Sequence, residues 1–119
     1  KQIKRIQNIS KFLDNNSLNV IVAALYSNPE LLNWNRDNFN NYFEVYIKSS
    51  IQNLKLRNKN QLYSKFSEKK NSQIVGLDIP WEEPINSDLI IETDNGDSPE
   101  KSAEDLFLSI KNCYGDDYL

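Results

Sequence analysis

A short β-rich run, a helical stretch and a second β-rich run follow one another in the second half of the chain. This rhythm restricts the fold more than any other feature. Residues 42–48 alternate Phe43, Val45 and Ile47 with Tyr42, Glu44, Tyr46 and Lys48, the period of a strand built from residues that favour extended backbone. Ser49 or Ser50 is placed to cap a helix running through Ile51, Leu54 and Leu56 to Arg57. Residues 89–93, Leu-Ile-Ile-Glu-Thr, read as the last strand. Strand, crossover and strand in this order argue for a right-handed βαβ unit, so the expected class is α/β, a parallel β-sheet flanked by helices.

The flanks fill in the same picture. Ile3, Ile6, Ile9, Phe12 and Leu13 recur at helical spacing while Lys4, Arg5, Gln7, Asn8 and Lys11 fall elsewhere, which predicts an amphipathic helix over about 1–16 packed on the sheet. Residues 18–25 are apolar except for Asn19 and Ser17 precedes them, the pattern of a parallel strand covered on both faces. Ligands of such sheets bind outside the carboxyl ends of the strands, so Ala24 to Asn28 are expected to border a site. Pro29-Glu30 opens a helix, expected to be broken before residue 41, that carries Trp34, Arg36 and Phe39. Trp34 and Arg36 either line an acceptor pocket, by stacking on a base and pairing with an anion, or Trp34 and Phe39 anchor the core. Asp94-Asn95-Gly96-Asp97 makes a turn, and Ser98 caps a helix with Pro99 first, Glu100 in its first turn and a buried stripe of Ala103, Leu106, Phe107 and Ile110.

Composition narrows the function. With 119 residues, 39% of them hydrophobic, the chain has apolar material for one modest core. Fourteen Lys and Arg against seventeen Asp and Glu give a formal charge of −3, so no global positive field argues for nucleic acid or an anionic membrane as partner. Cys113 is the single cysteine and histidine is absent, which excludes an internal disulfide and a zinc site built from His and Cys, and makes a reducing, cytoplasmic setting the expectation. The longest apolar run, residues 20–26, is too short to span a bilayer. Methionine is absent and the chain opens inside a helical pattern at Lys1, so it is expected to be a piece of a longer product. Gly76, Gly96 and Gly115 are its three glycines, too few and too far apart for the phosphate-wrapping loop G-x-x-x-x-G-K-[ST].

Between the helix that ends at Arg57 and the last strand lies the most charged stretch. Arg57, Lys59, Lys65, Lys69 and Lys70 share fourteen residues with one acid, Glu68. Cations this dense repel one another unless water screens them or an anion sits among them. A solvated face is the simple reading for most of them; the alternative is a mobile lid that brings positive charge over transferring phosphate and excludes water. Residues 74–84 follow, with Gly76 placed for a close approach, Asp78 for ordering a turn, and Pro80, Trp81 and Pro84 stiffening the return path. Glu82 and Glu83 are adjacent and point apart, as surface residues do.

Arg57-Asn58, Leu62-Tyr63, Lys65, Gly76-Leu77-Asp78, Pro80-Trp81-Glu82, Pro84, Asn86-Ser87-Asp88-Leu89 and Ser98-Pro99-Glu100 occur in one order. That order resembles the adenylylsulfate kinases, P-loop kinases whose C-terminal half reads R-D-x-K-G-L-Y-K-K-A, F-T-G-I-D-x-P-Y-E-A-P, N-P-D-L-x-I-x-T and then a helix beginning S-P-E. The resemblance implies that residues 1–119 are the C-terminal part of a single kinase domain of the P-loop NTPase fold, with a lid at about 57–77. It implies ATP-dependent phosphorylation of the 3′-hydroxyl of adenylyl sulfate to give PAPS in sulfate assimilation. ATP and Mg²⁺ are the implied cofactors, the Mg²⁺ ligands being expected upstream together with the phosphate loop, so that the piece alone is expected to be inactive.

By the same resemblance Lys65 sits over the phosphates or the acceptor as the catalytic cation, Arg57 approaches the adenine of ATP and Thr93 lies beside it. Gln2 and Arg5, on the helix that begins E-N-I-R-R-I in the family, reach the acceptor with Ala24, Ile74 and Gly76. The chain departs from the family at several of these points. Ile74 replaces the aromatic that stacks on the acceptor adenine, the serine and S-P-Y-R after the first strand are lost around Ala23 to Pro29, and Asn60-Gln61 replace Lys-Gly. A kinase with another nucleotide or sugar acceptor, or a noncatalytic binding domain, therefore stands beside the first reading. The implied partner is a small nucleotide substrate, with a homodimer left open.

Overall fold

The computed structural model of the protein describes residues 1–57 and 80–115. They fall into two compact units. The first holds Lys1–Tyr42 and Glu82–Ile85; the second holds, among the described residues, 43–57, 80–81 and 86–115.

The first unit is built on two helices, α1 (Gln2–Asp14) and α2 (Pro29–Asn38). Asn28 caps α2, its side chain accepting from the Leu31 N–H at 3.1 Å, and Pro29 takes the first helical position, where a missing N–H costs nothing. The helix then runs unbroken for ten residues, against the expected break. Its packing on α1 inverts the expected amphipathic arrangement. Gln7 and Ser10 of α1 are buried, whereas Ile9 and Phe12 are 62% and 67% exposed. The polar face of α1 meets α2 because Gln7 finds hydrogen-bond partners there, and of the apolar stripe only Ile3 and Leu13 are half-buried.

Residues 18–25 are not a strand, which corrects the expectation for this run. A continuous apolar run becomes a strand only where a neighbouring strand completes its N–H and C=O groups. Among the described residues none lies beside it, and Ile21 is 98% exposed.

The second unit contains β1 (Val45–Lys48), α3 (Ile51–Leu56), β2 (Leu89–Glu92), a single 3₁₀ turn at Thr93–Asn95 and α4 (Pro99–Tyr114). β1 and β2 pair in parallel, Val45 opposite Leu89 and Lys48 opposite Glu92, as the strand–helix–strand rhythm predicts. Their amino ends are fastened by side chains. The Glu44 N–H donates to the Asp88 carboxylate at 2.7 Å, the Asp88 and Leu89 N–H groups donate to the Glu44 carbonyl at 2.9 and 3.2 Å, and the Ser87 hydroxyl donates to the Glu44 carboxylate at 3.0 Å. Trp81 rests against β1, its indole N–H donating to the Tyr46 hydroxyl at 3.2 Å.

Gly96 takes the left-handed conformation at φ 88° that closes the 3₁₀ turn, a geometry glycine adopts without strain. Ser98 then caps α4 by accepting from the Lys101 N–H at 3.2 Å, and Lys101 pairs with Asp105 one turn on. The expected buried stripe of α4 is only half realised. Leu106 and Ile110 are half-buried, and Ala103 and Phe107 are exposed.

Candidate functional site

Among the described residues, the carboxyl ends of β1 and β2 carry a cluster of directed polar contacts. Ser50 ends the β1 connection and caps α3, its hydroxyl accepting from the Asn53 N–H at 3.2 Å. The Asp94 carboxylate, just past β2, accepts from the Ser49 hydroxyl at 2.9 Å and the Ser50 N–H at 2.8 Å. Hydrogen bonds from the Asn53 side chain first, and then from Ser50, hold the Asp94 carboxyl far below the usual carboxylate range. The Thr93 hydroxyl donates to the Lys48 carbonyl at 3.3 Å.

Arg57, which closes the C-terminal end of α3, donates Nη2–H to the Thr93 carbonyl at 2.6 Å. Two residues thirty-six positions apart in sequence are thus joined at the strand rim. The result is an exposed, planar, permanently charged guanidinium pinned by one N–H at the edge of a parallel strand pair. A planar cation held this way leaves its faces available for stacking on an aromatic ring. Among the described residues no group of three or more His, Cys, Asp or Glu side chains gathers in a way that could hold a metal ion.

Arg57 and Thr93 are therefore brought together. Gln2 and Arg5 lie exposed on α1, and Ala24 is exposed in the irregular segment after it. Lys65, Ile74 and Gly76, with most of the expected lid, lie outside the described residues.

Sequence reasoning reached Ser50 as a cap and Asp94 as a turn residue. It did not foresee that the two are bonded, because the 44-residue separation of Ser50 and Asp94 leaves no local signal.

The first unit has its own polar centre, which the sequence also did not announce. Gln7, 5% exposed, donates Nε2–H to the Leu31 carbonyl at 2.9 Å and to Asn35 Oδ1 at 2.7 Å. Asn35, 3% exposed, donates Nδ2–H to the hydroxyls of Tyr26 at 2.8 Å and Tyr42 at 3.0 Å. Every buried side-chain nitrogen and oxygen of the described residues has a partner. Beside this network a groove of about 340 Å³ opens between α1 and α2, lined by Lys4, Gln7, Asn8, Glu30, Leu31 and Trp34. Of the candidate acceptor contacts, Gln2 and Arg5 do not line it, while Trp34 does.

A parallel strand pair with flanking helices is an α/β arrangement consistent with part of a P-loop kinase fold. The family model described as Adenylylsulphate kinase matches residues 1–92, and the chain belongs to this family. Among curated proteins, it is 32% identical over 95 residues to a cytidine diphosphoramidate kinase of Campylobacter jejuni, covering 80% of this chain and 55% of the relative. It is 26% identical over 118 residues to an adenylyl-sulfate kinase of Oceanobacillus iheyensis, covering 94% and 57%, and 28% identical over 114 residues to that of Staphylococcus carnosus, covering 94% and 57%. The chain thus spans about half the length of these relatives. No solved structure matches it. These relatives are kinases by name. No helix among the described residues is long and apolar enough to cross a membrane.

Proposed function

We propose that the natural protein carrying this chain is an ATP-dependent kinase that moves the γ-phosphoryl group to a hydroxyl of a small nucleotide. The observation that carries this reading is the contact of Arg57 with Thr93 at the carboxyl rim of β1 and β2. Both residues occupy positions that match the family's ATP contacts, and ligands of parallel sheets bind at that rim. Arg57 covers the purine, and the Thr93 segment forms the edge beside it. ATP with Mg²⁺ supplies the phosphoryl group and the neutralising charge, and Lys65 in the lid supplies a further cation over the phosphates.

Adenylyl sulfate is the first acceptor proposed, phosphorylated at its 3′-hydroxyl to PAPS in sulfate assimilation, in a cytoplasmic enzyme that acts alone or as a homodimer. In this assignment residues 1–119 are the C-terminal part of one kinase domain, and Gln2, Arg5, Ala24, Ile74 and Gly76 face the acceptor. A second acceptor, a cytidine nucleotide, is favoured by one relative, the Campylobacter jejuni protein named cytidine diphosphoramidate kinase. It is also favoured by the departures at Ile74 and around Ala23 to Pro29.

A coupled ADP-release assay of the natural full-length protein, run with adenylyl sulfate and with cytidine diphosphoramidate, tests the reading and separates the two acceptors. ADP release with neither overturns it. In the active enzyme Lys65→Ala lowers kcat by a large factor with the fold intact, and unchanged kinetics remove Lys65 from the site. Arg57→Ala raises the KM for ATP by about tenfold, the loss expected when one stacked cation is removed.

A further inference from the structure

We propose that Asn95 and Gly96 form a self-modifying site, where the Gly96 nitrogen closes on the Asn95 side chain with loss of ammonia, and that this conversion loosens the carboxyl rim of β1 and β2. The modification needs no bound substrate, so it stands or falls apart from the kinase reading. Asn95 and Gly96 are the single Asn-Gly pair in the chain. Both are exposed, in the turn that joins β2 to α4.

The Asn95 amide is clamped on both sides by one residue. The Asp97 N–H donates to Asn95 Oδ1 at 3.0 Å, and Asn95 Nδ2–H donates to the Asp97 carboxylate at 2.7 Å. A donor faces the oxygen and an acceptor faces the nitrogen, so the amide has one orientation. A side chain bonded to the backbone two residues ahead folds its Cγ over the peptide between, and here that peptide carries the Gly96 nitrogen. The Asp97 N–H also draws electrons from the Cγ carbonyl and is in place to stabilise the oxyanion that forms there. Gly96 has no Cβ, and apart from its chain neighbours no described atom lies within 4 Å of where one would stand. Neither a side chain of its own nor a packed neighbour blocks the approach.

The chemistry requires water as its one co-reactant. Hydroxide takes the Gly96 amide proton and the nitrogen bonds to Asn95 Cγ. The bond from Cγ to Nδ2 then breaks, and the nitrogen leaves as ammonia with a proton from water, which restores the hydroxide. Water opens the resulting succinimide at Cγ to give aspartate, or at the main-chain carbonyl to give isoaspartate, which carries an extra carbon in the backbone. Nothing is oxidised or reduced. The new carboxylate stands where Nδ2 met the Asp97 carboxylate, so a hydrogen bond becomes a meeting of like charges. The turn opens in response. That turn holds Asp94 against Ser49 and Ser50, and the Thr93 carbonyl against Arg57.

Peptide mapping by mass spectrometry of the natural full-length protein, aged in mildly alkaline buffer, tests the assignment. The amide-to-acid mass gain and isoaspartate are expected at Asn95 about tenfold faster than at Asn86, the exposed asparagine before Ser87 that serves as reference in the same chain. Equal rates at the two, or no conversion at Asn95, overturn the proposal. Aged protein and a fresh Asn95→Asp variant are both expected to exchange the Ser50 N–H about fivefold faster than fresh parent, the effect of losing one hydrogen bond. Asn95→Gln keeps an amide but closes the ring far more slowly, and it exchanges at the parent rate before and after ageing. Ser50 exchange that is unchanged in the aged protein and in Asn95→Asp overturns the loosening of the rim. Ser50 exchange that quickens with age in Asn95→Gln as it does in the parent places the cause elsewhere and overturns it as well.

Discussion

The two units are held together by opposite means. In the first, two helices meet through uncharged groups, the buried amides of Gln7 and Asn35 and the half-buried phenols of Tyr26 and Tyr42. In the second, two strands are fastened at both ends by carboxylates, Asp88 against the Glu44 N–H at the amino end and Asp94 against Ser49 and Ser50 at the carboxyl end. Asp88 and Asp94 are exposed. A buried neutral network is costly to leave half made and indifferent to acid, whereas an exposed carboxylate bracket is cheap to lose and answers to pH. Neither unit contains a buried hydrophobic residue among those described, so in both the polar contacts fix which element faces which.

The contrast can be broken most forcefully in the first unit. Asn35→Leu strips Gln7, Tyr26 and Tyr42 of a partner at once, and the expected loss is about 2–4 kcal/mol in a urea titration of the full-length protein. A loss below about 0.5 kcal/mol would show that water replaces the network freely and that the two units do not differ as described. In the second unit Asp88→Ala removes one charge-assisted bond to the Glu44 N–H and is expected to cost about 1–2 kcal/mol. Faster amide exchange at Glu44 and Leu89, with exchange in α1 unchanged, is the local readout. Ser98→Ala takes the cap from α4 and costs about 1 kcal/mol by the same titration.

The smallest effect sharpens the comparison through pH. The Asp94 carboxyl is depressed in the folded state, so its contribution is complete above the unfolded value of about 3.9 and declines as pH falls from there toward the folded value. Amide exchange at Ser50 should quicken over that acid range in the parent and lose the dependence in Asp94→Asn. The Gln7 and Asn35 contacts contain no titrating group and should show none. An acid response of equal size in both units would erase the distinction.

Legibility in the sequence followed the range of the interactions. Ser50, Asn28 with Pro29, Ser98 with Pro99, and the turn at Gly96 are local devices, and the structure shows them at or within a residue of where the pattern puts them. β1 and β2 were legible from alternation and β-branched residues, with their ends shifted by one to three positions. Residues 18–25 and the apolar face of α1 were misjudged for a common reason. Periodicity reports what a segment could bury, and burial needs a second surface that the segment's own residues do not encode. At the candidate site, Arg57 and Thr93 each stood out through the family pattern, but their contact joins distant parts of the chain and no spacing rule reaches that far.

What the sequence settled alone was the class of element where local signals were strong, as in β1, β2 and the capped helices, together with the caps that begin α2, α3 and α4 and the lineage of the chain. These depend on backbone preference, on neighbours within a turn, or on which side chains exist at all. Tertiary structure decided that Gln7 faces inward while Phe12 faces out, that Arg57 leans on Thr93, and that Glu30 and Trp34 share a groove with Lys4. Each of these depends on bringing together groups from separate elements. The free energy that selects them is a difference between competing contacts and water, which no single segment contains.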